Sequence, residues 1–130
     1  MKAQKIATCK APLPGGWYSQ AYRVGDLIYT AGVTANDPIT QKLIAPGDMA
    51  EQTRQILKNM ENILKEAGSD ISHVFKTLVF ISDIEQFDVF DKTYKEIFGE
   101  NPPARSTIQV GKFKSGMMIE IEAIATVKES

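Results

Sequence analysis

Two short segments near the C-terminus carry the residues best suited to chemistry. Pro103 to Val110 reads Pro-Ala-Arg-Ser-Thr-Ile-Gln-Val, and Met118 to Ala125 reads Met-Ile-Glu-Ile-Glu-Ala-Ile-Ala. They set Arg105 and Glu120 into apolar strands, where a charge is costly unless something binds it. A guanidinium is a planar fork that holds a carboxylate by two parallel charge-assisted hydrogen bonds, while a carboxylate can orient a water and accept its proton. Arg105 and Glu120 are therefore the first candidates for chemistry. On the residues alone the favoured reading is a structural ion pair within the sheet.

Other chemistries lack their parts. One histidine, His73, and one cysteine, Cys9, supply neither a Cys/His metal cluster nor an activated nucleophile, so no metal and no cofactor is expected. His73 stands at the mouth of a strand and is expected to be solvated or locally hydrogen-bonded. Cys9, in an edge segment without clustered cations around it, reads as a spectator thiol. A lone cysteine cannot form an intrachain disulfide, which favours the cytoplasm. Fifteen basic residues against sixteen acidic ones, dispersed along the chain, advertise no nucleic-acid surface. No window approaches the roughly 18 apolar residues of a membrane span, and no signal-peptide core opens the chain, so a soluble, unprocessed protein is expected. A length of 130 residues suits one domain over 1–130.

The elements that must position Arg105 and Glu120 follow from periodicity. Gln20 to Val24 and Leu27 to Gly32 flank Gly25-Asp26 and read as a hairpin. Val33 to Gly47, with Asn36, Pro38, Pro46 and Gly47, reads as a loop. Asp48 is a candidate N-cap with Glu51 three residues on; Met49, Thr53, Ile56, Leu57, Met60, Ile63, Leu64 and Ala67 then recur at helical spacing until Gly68. His73 to Ser82 is β-branched and aromatic and reads as a strand buried on both faces. A second helix carries Phe87, Phe90, Tyr94, Ile97 and Phe98 on one side before Gly99 and Pro102-Pro103 stop it. Two alternating strands close the chain. Arg105, Thr107 and Gln109 share one face of the first, with Ser106, Ile108 and Val110 on the other; in the second, Glu120 and Glu122 oppose Ile119, Ile121 and Ala123. Arg105 and Glu120 are expected to face the same side, away from the helices.

These elements give an α+β class, a two-layer domain whose mixed sheet carries two helices on one face. Two helices cover only that face, yet Val74, Leu78 and Phe80 oppose Phe75, Val79 and Ile81. With no further chain available, another copy of the protein is the expected cover.

Over essentially its whole length the chain resembles the RidA/YjgF/YER057c/UK114 family of reactive-intermediate deaminases. The resemblance rests on Pro103-Ala104-Arg105-Ser106 followed by Ile119-Glu120-Ile121, on Gly16-Trp17-Tyr18-Ser19-Gln20-Ala21, and on Lys76-Thr77-Leu78-Val79-Phe80-Ile81, in that order and spacing. It implies a chorismate-mutase-like fold, a homotrimer with three intersubunit clefts, and hydrolysis of enamine or imine products of pyridoxal-phosphate-dependent dehydratases, such as 2-aminoacrylate and 2-iminobutyrate, to 2-keto acids and ammonia. It carries over Tyr18, Gly32, Arg105, Thr107 and Glu120. Arg105 would hold the substrate carboxylate and Glu120 the water. Backbone groups at Gly32 and around Thr107 would complete the pocket, with Tyr18 closing it and Phe87 as an apolar wall.

The chain departs from the family pattern at several positions. Trp17 stands where proline is common, Ala31-Gly32-Val33 where Ser-Gly-Gln is common, Asp91 where asparagine is frequent and Thr107 where cysteine is frequent. A carboxylate at Asp91 facing the cleft would repel the substrate's own, so Asp91 is expected to point partly to solvent. Two further readings stand beside the deaminase. One is a regulator that uses Arg105 to bind small carboxylates. The other is a ribonuclease or translation inhibitor, for which one histidine cannot furnish both acid and base.

Overall fold

Gly25 adopts φ of 58°, a left-handed conformation that costs glycine nothing, and the chain folds back on itself there. The flanking strands are β2 (Ala21–Val24) and β3 (Leu27–Thr30), paired antiparallel. The computed structural model describes residues 1–129. Its other elements are β1 (Ala3–Ile6), α1 (Met49–Glu66), β4 (Val74–Ile81), α2 (Phe87–Phe98), β5 (Ala104–Gln109) and β6 (Ile119–Thr126). The six strands form one sheet in the order β1-β2-β3-β6-β4-β5, antiparallel except for the parallel β4–β5 pair that α2 connects.

The helices form where caps and stripes foretell. Asp48 accepts a hydrogen bond from the Glu51 amide at 3.0 Å, and Gly68 takes φ of 86° just beyond the last turn. Ile56, Leu57, Met60 and Leu64 from α1, with Phe90 and Tyr94 from α2, are buried against Val79 and Ile81 of β4 and Ile119 and Ile121 of β6. Each such aliphatic side chain contributes about 1.5–3 kcal/mol relative to exposure, so this layer fixes both helices on one face. Tyr94 reaches the sheet itself, its hydroxyl 2.7 Å from Thr77 Oγ1.

β1 was not expected from the sequence. Three of its four residues are exposed and only Ile6 is buried, so little apolar signal marks it. β4 departs from the expected burial on both faces: Val74, Thr77, Val79 and Ile81 are buried, whereas Lys76, Leu78 and Phe80 are half-buried. Among the described residues no element covers that second face, which also carries Tyr22, Tyr29, Ile108 and Ile124 through the cross-strand register. A bulge between Val74 and Lys76 resets the alternation and leaves Phe75 46% exposed.

Candidate active site

Arg105 pairs in register with Thr77, and Thr77 is fully buried beneath the helices. Residues opposed across a sheet share a face, so Arg105 points toward α2. This corrects the expectation that it faces away from the helices. The physical reason lies in α2, whose aromatic side offers the guanidinium a platform: the Arg105 Cζ stands 4.8 Å from the Tyr94 ring centre, 5.1 Å from Phe90 and 5.5 Å from Phe87. Cation–π contact of this kind is worth about 0.5–2 kcal/mol, rising with desolvation. Asp91, on the same helix, accepts a hydrogen bond from Arg105 Nη1 at 2.7 Å. Its side chain is 49% exposed and that of Arg105 20%, so Asp91 does point partly to solvent while also binding the arginine. A groove of about 610 Å³ runs past Asp91, Tyr94 and Arg105.

Thr107 and Gln109 follow Arg105 on this face. Gln109 Oε1 accepts from the Ile84 amide at 2.8 Å, tying β5 to the turn that launches α2. Thr107 Oγ1 is the buried side-chain polar atom without a hydrogen-bond partner among the described residues. Phe87 packs edge-on to Phe90, their ring centres 6.1 Å apart, and forms one wall of the arginine's surroundings.

Glu120 lies on the other side of the sheet. It is opposite Phe80 in the β6–β4 register, while its neighbours Ile119 and Ile121 are buried beneath the helices. Arg105 and Glu120 of one chain therefore occupy opposite faces. Alternation along a strand says which residues share a face, not which face it is, and the parallel pairing of β5 with β4 decides the matter.

Around Glu120 the backbone is closely fitted. β3 leaves β6 after Thr30, whose hydroxyl accepts from the Ala123 amide at 3.0 Å, and the chain returns at Val33, which exchanges two hydrogen bonds with Ile121. Gly32 lies in this detour, beneath the Glu120 side chain; a Cβ on Gly32 would overlap the carboxylate, with Cδ at only 2.6 Å. The missing side chain thus admits Glu120 itself. Burial, reinforced by nearby Glu122, raises the Glu120 carboxyl above the ordinary carboxylate value. Tyr18 and Gly32 share a small cavity of about 30 Å³, comparable to the space of one water. Tyr18 is half-exposed in the loop before β2, and its hydroxyl accepts from the Gly15 amide at 3.1 Å.

Two buried amides on α1 set this geometry, and the sequence analysis did not single them out. The Gln52 amide nitrogen donates to the carbonyls of Ala45 and Gly116, and its oxygen accepts from the Met118 amide at 2.8 Å, two residues before Glu120. Asn59 donates to the carbonyls of Thr34 and Asn36, just past Gly32. Their signal was available: they sit seven residues apart beside Ile56 and Ile63, on the buried stripe where only apolar residues belong unless they bind backbone.

His73 is locally hydrogen-bonded, with Nδ1 2.9 Å from Asp70 Oδ1. The Ser72 hydroxyl, His73 and Lys128 hold the Asp70 carboxyl well below the usual range. Cys9 is exposed just beyond β1. Among the described residues no group of three His, Cys, Asp or Glu side chains is placed to hold a metal ion, and no helix is long and apolar enough to cross a membrane.

The protein is thus a two-layer α+β sheet with an arginine groove on one face and a glutamate seated on a glycine on the other. The sequence profile described as Endoribonuclease L-PSP matches residues 8–127. The 2-iminobutanoate/2-iminopropanoate deaminase of Rattus norvegicus is 46% identical over 120 residues, covering 92% of this chain and 87% of the relative. A RutC family protein of Pyrococcus abyssi is 41% identical over 125 residues, covering 96% of this chain and 98% of the relative. Among solved structures, RidA from a Psychrobacter species superposes with a TM-score of 0.90 at 34% identity, covering 95% of this chain and 99% of the other. The chain belongs to the RidA/YjgF family, the one also described as endoribonuclease L-PSP.

Proposed function

We propose that this protein hydrolyses short 2-imino and 2-enamino acids, such as 2-iminobutyrate and 2-aminoacrylate, to 2-keto acids and ammonia, acting as a homotrimer of one-domain chains with its sites between subunits. The observation that carries the reading is Glu120: a half-buried carboxylate with a raised pKa, seated on Gly32 and without an ion-pair partner among the described residues. Such a group suits general-base work, because a carboxyl raised toward neutrality accepts a water proton more readily. The named activity of relatives 45–46% identical to this chain supports the same reaction type.

In the proposed assembly the two faces meet. The apolar open face around Leu78, Phe80 and Ile108 packs on a second copy, and the Arg105 half-site of one protomer closes over the Glu120 half-site of its neighbour. Arg105 holds the substrate carboxylate through donors that Asp91 leaves free, with Phe87 as an apolar wall. The Thr107 segment and the Gly32 backbone complete the pocket, and Tyr18 shuts its mouth. Glu120 orients the water onto the C=N carbon and takes its proton. Addition gives a carbinolamine, which expels ammonia as the C=O forms. The protonated imine is already electrophilic, so orientation and electrostatics suffice without a covalent nucleophile or cofactor.

The test is to generate 2-aminoacrylate with a dehydratase and follow the decay of imine absorbance. The wild type should accelerate decay, Arg105→Ala should lose substrate affinity, and Glu120→Ala should lose about 10²–10⁴-fold in turnover. Wild-type protein that binds keto acids yet leaves the decay unchanged would favour the carboxylate-binding regulator. Light scattering should return three times the 14.4 kDa chain mass.

A further inference from the structure

Arg105 meets the groove already partnered. One of its five N–H donors goes to Asp91, whose half-exposed carboxylate has its second oxygen Oδ2 outside any hydrogen bond among the described residues. The cluster of Arg105 and Asp91 is therefore close to neutral where an anion-binding pocket would ordinarily carry a full positive charge. The three rings under the guanidinium add no cation, and Lys95 and Glu100, which also line the groove, offset one another in sign. A plain carboxylate ligand gains the arginine but meets a like charge beside it; a ligand with a carboxylate and a cationic nitrogen on adjacent carbons meets a donor for the first and an acceptor for the second.

We infer that Asp91 makes the arginine pocket selective for zwitterions, so that it retains the protonated 2-imino acid and rejects the 2-keto acid formed from it. The inference rests on the deaminase reading given above. In the reaction the iminium acid and one water become the keto acid anion and one ammonium ion. The C=N bond is replaced by C=O, the two water protons leave with the nitrogen, and no redox partner is required. Substrate and product share the carboxylate and differ in the cationic N–H that Asp91 Oδ2 is placed to accept. The carboxylate on α2 thus acts against product retention. It is a specificity-determining group; Arg105 remains the anchor for both molecules.

The test compares two stable probes that differ at C2, 2-aminobutyrate as the zwitterion and 2-ketobutyrate as the anion. Their affinities are measured by titration calorimetry for the wild type, Asp91→Asn and Arg105→Ala. Asp91→Asn keeps the shape and removes the charge, and Asp91→Ser provides a second variant should the amide perturb the helix. The expected result is that 2-ketobutyrate binds about tenfold more tightly to Asp91→Asn than to the wild type, a shift of about 1.4 kcal/mol, while 2-aminobutyrate binds no better or more weakly. Arg105→Ala should bind neither. An affinity ratio unchanged by both Asp91 substitutions, with binding still dependent on Arg105, overturns this inference and leaves the deaminase reading standing. Binding that survives in Arg105→Ala, or that fails for both probes in every protein, overturns the arginine pocket and the inference with it.

Discussion

Mixing two inactive variants tests the arrangement most directly. Arg105 and Glu120 of one chain lie on opposite faces of the sheet, one opposite buried Thr77 and the other opposite Phe80 on the open face. If each site takes its arginine from one protomer and its glutamate from the next, Arg105→Ala and Glu120→Ala damage different walls of the same crevice. In trimers assembled at random from equal amounts of the two, a site is intact only when the Glu120→Ala chain supplies the arginine and the Arg105→Ala chain supplies the glutamate. Each condition holds half the time, so about one quarter of sites regain both groups in a closed cyclic assembly. Each homotrimer alone should sit near the uncatalysed rate, since removing a general base costs about 10²–10⁴-fold. The assay is decay of 2-aminoacrylate absorbance after co-expression, or joint refolding, of differently tagged chains purified through both tags. Homotrimers are lost in that purification and every mixed ring keeps one intact site of three, so recovery near a third of wild-type activity supports the shared crevice. Mixed trimers as inactive as their parents would refute it, because two groups drawn from one chain cannot complement.

Gly32→Ala should fold but lose most turnover, because a Cβ there overlaps the Glu120 carboxylate and must displace it; a kcat loss without a matching KM rise checks this. Glu120→Gln should melt at a higher temperature than the wild type at pH 8. Burial raises the Glu120 carboxyl, so its protonated form is the one the fold favours. That stabilisation is full below the unfolded pKa and is lost as pH rises through the folded pKa, so the advantage of Gln should close toward pH 4 in melting curves. Gln52→Leu should destabilise the protein by about 1–3 kcal/mol in urea titration, since it leaves the Met118 amide unpaired and removes the side-chain donor from the Ala45 and Gly116 carbonyls, which keep only the Asp48 and Gly47 amides. Thr107→Val should be neutral or stabilising by about 1 kcal/mol, because the hydroxyl it removes has no partner among the described residues.

Periodicity made α1, α2 and the β2–β3 hairpin readable because their burial is one-sided and their ends carry caps or glycine. β1 was not readable, since an edge strand reading Ala-Gln-Lys-Ile with one buried residue differs little from a tail. For β5 the alternation of Arg105, Thr107 and Gln109 was correct, while their face was not. An arginine on the helix side defies the rule that charges avoid the core, and only the rings of Phe87, Phe90 and Tyr94 together with Asp91 make it tolerable. The residue types of the candidate site were thus legible and their distribution over two faces was not, because that distribution depends on strand order. Gln52 and Asn59 show the converse: polar residues on an apolar stripe are a signal whose partners only the fold reveals.

The separation of arginine and glutamate by the thickness of the sheet has a consequence for how the activity would respond to quantity. If the proposed site is right, a solitary folded copy carries both groups yet has no place where they meet. Rate per milligram is therefore expected to fall on dilution, before any loss of helical content, once copies begin to part company.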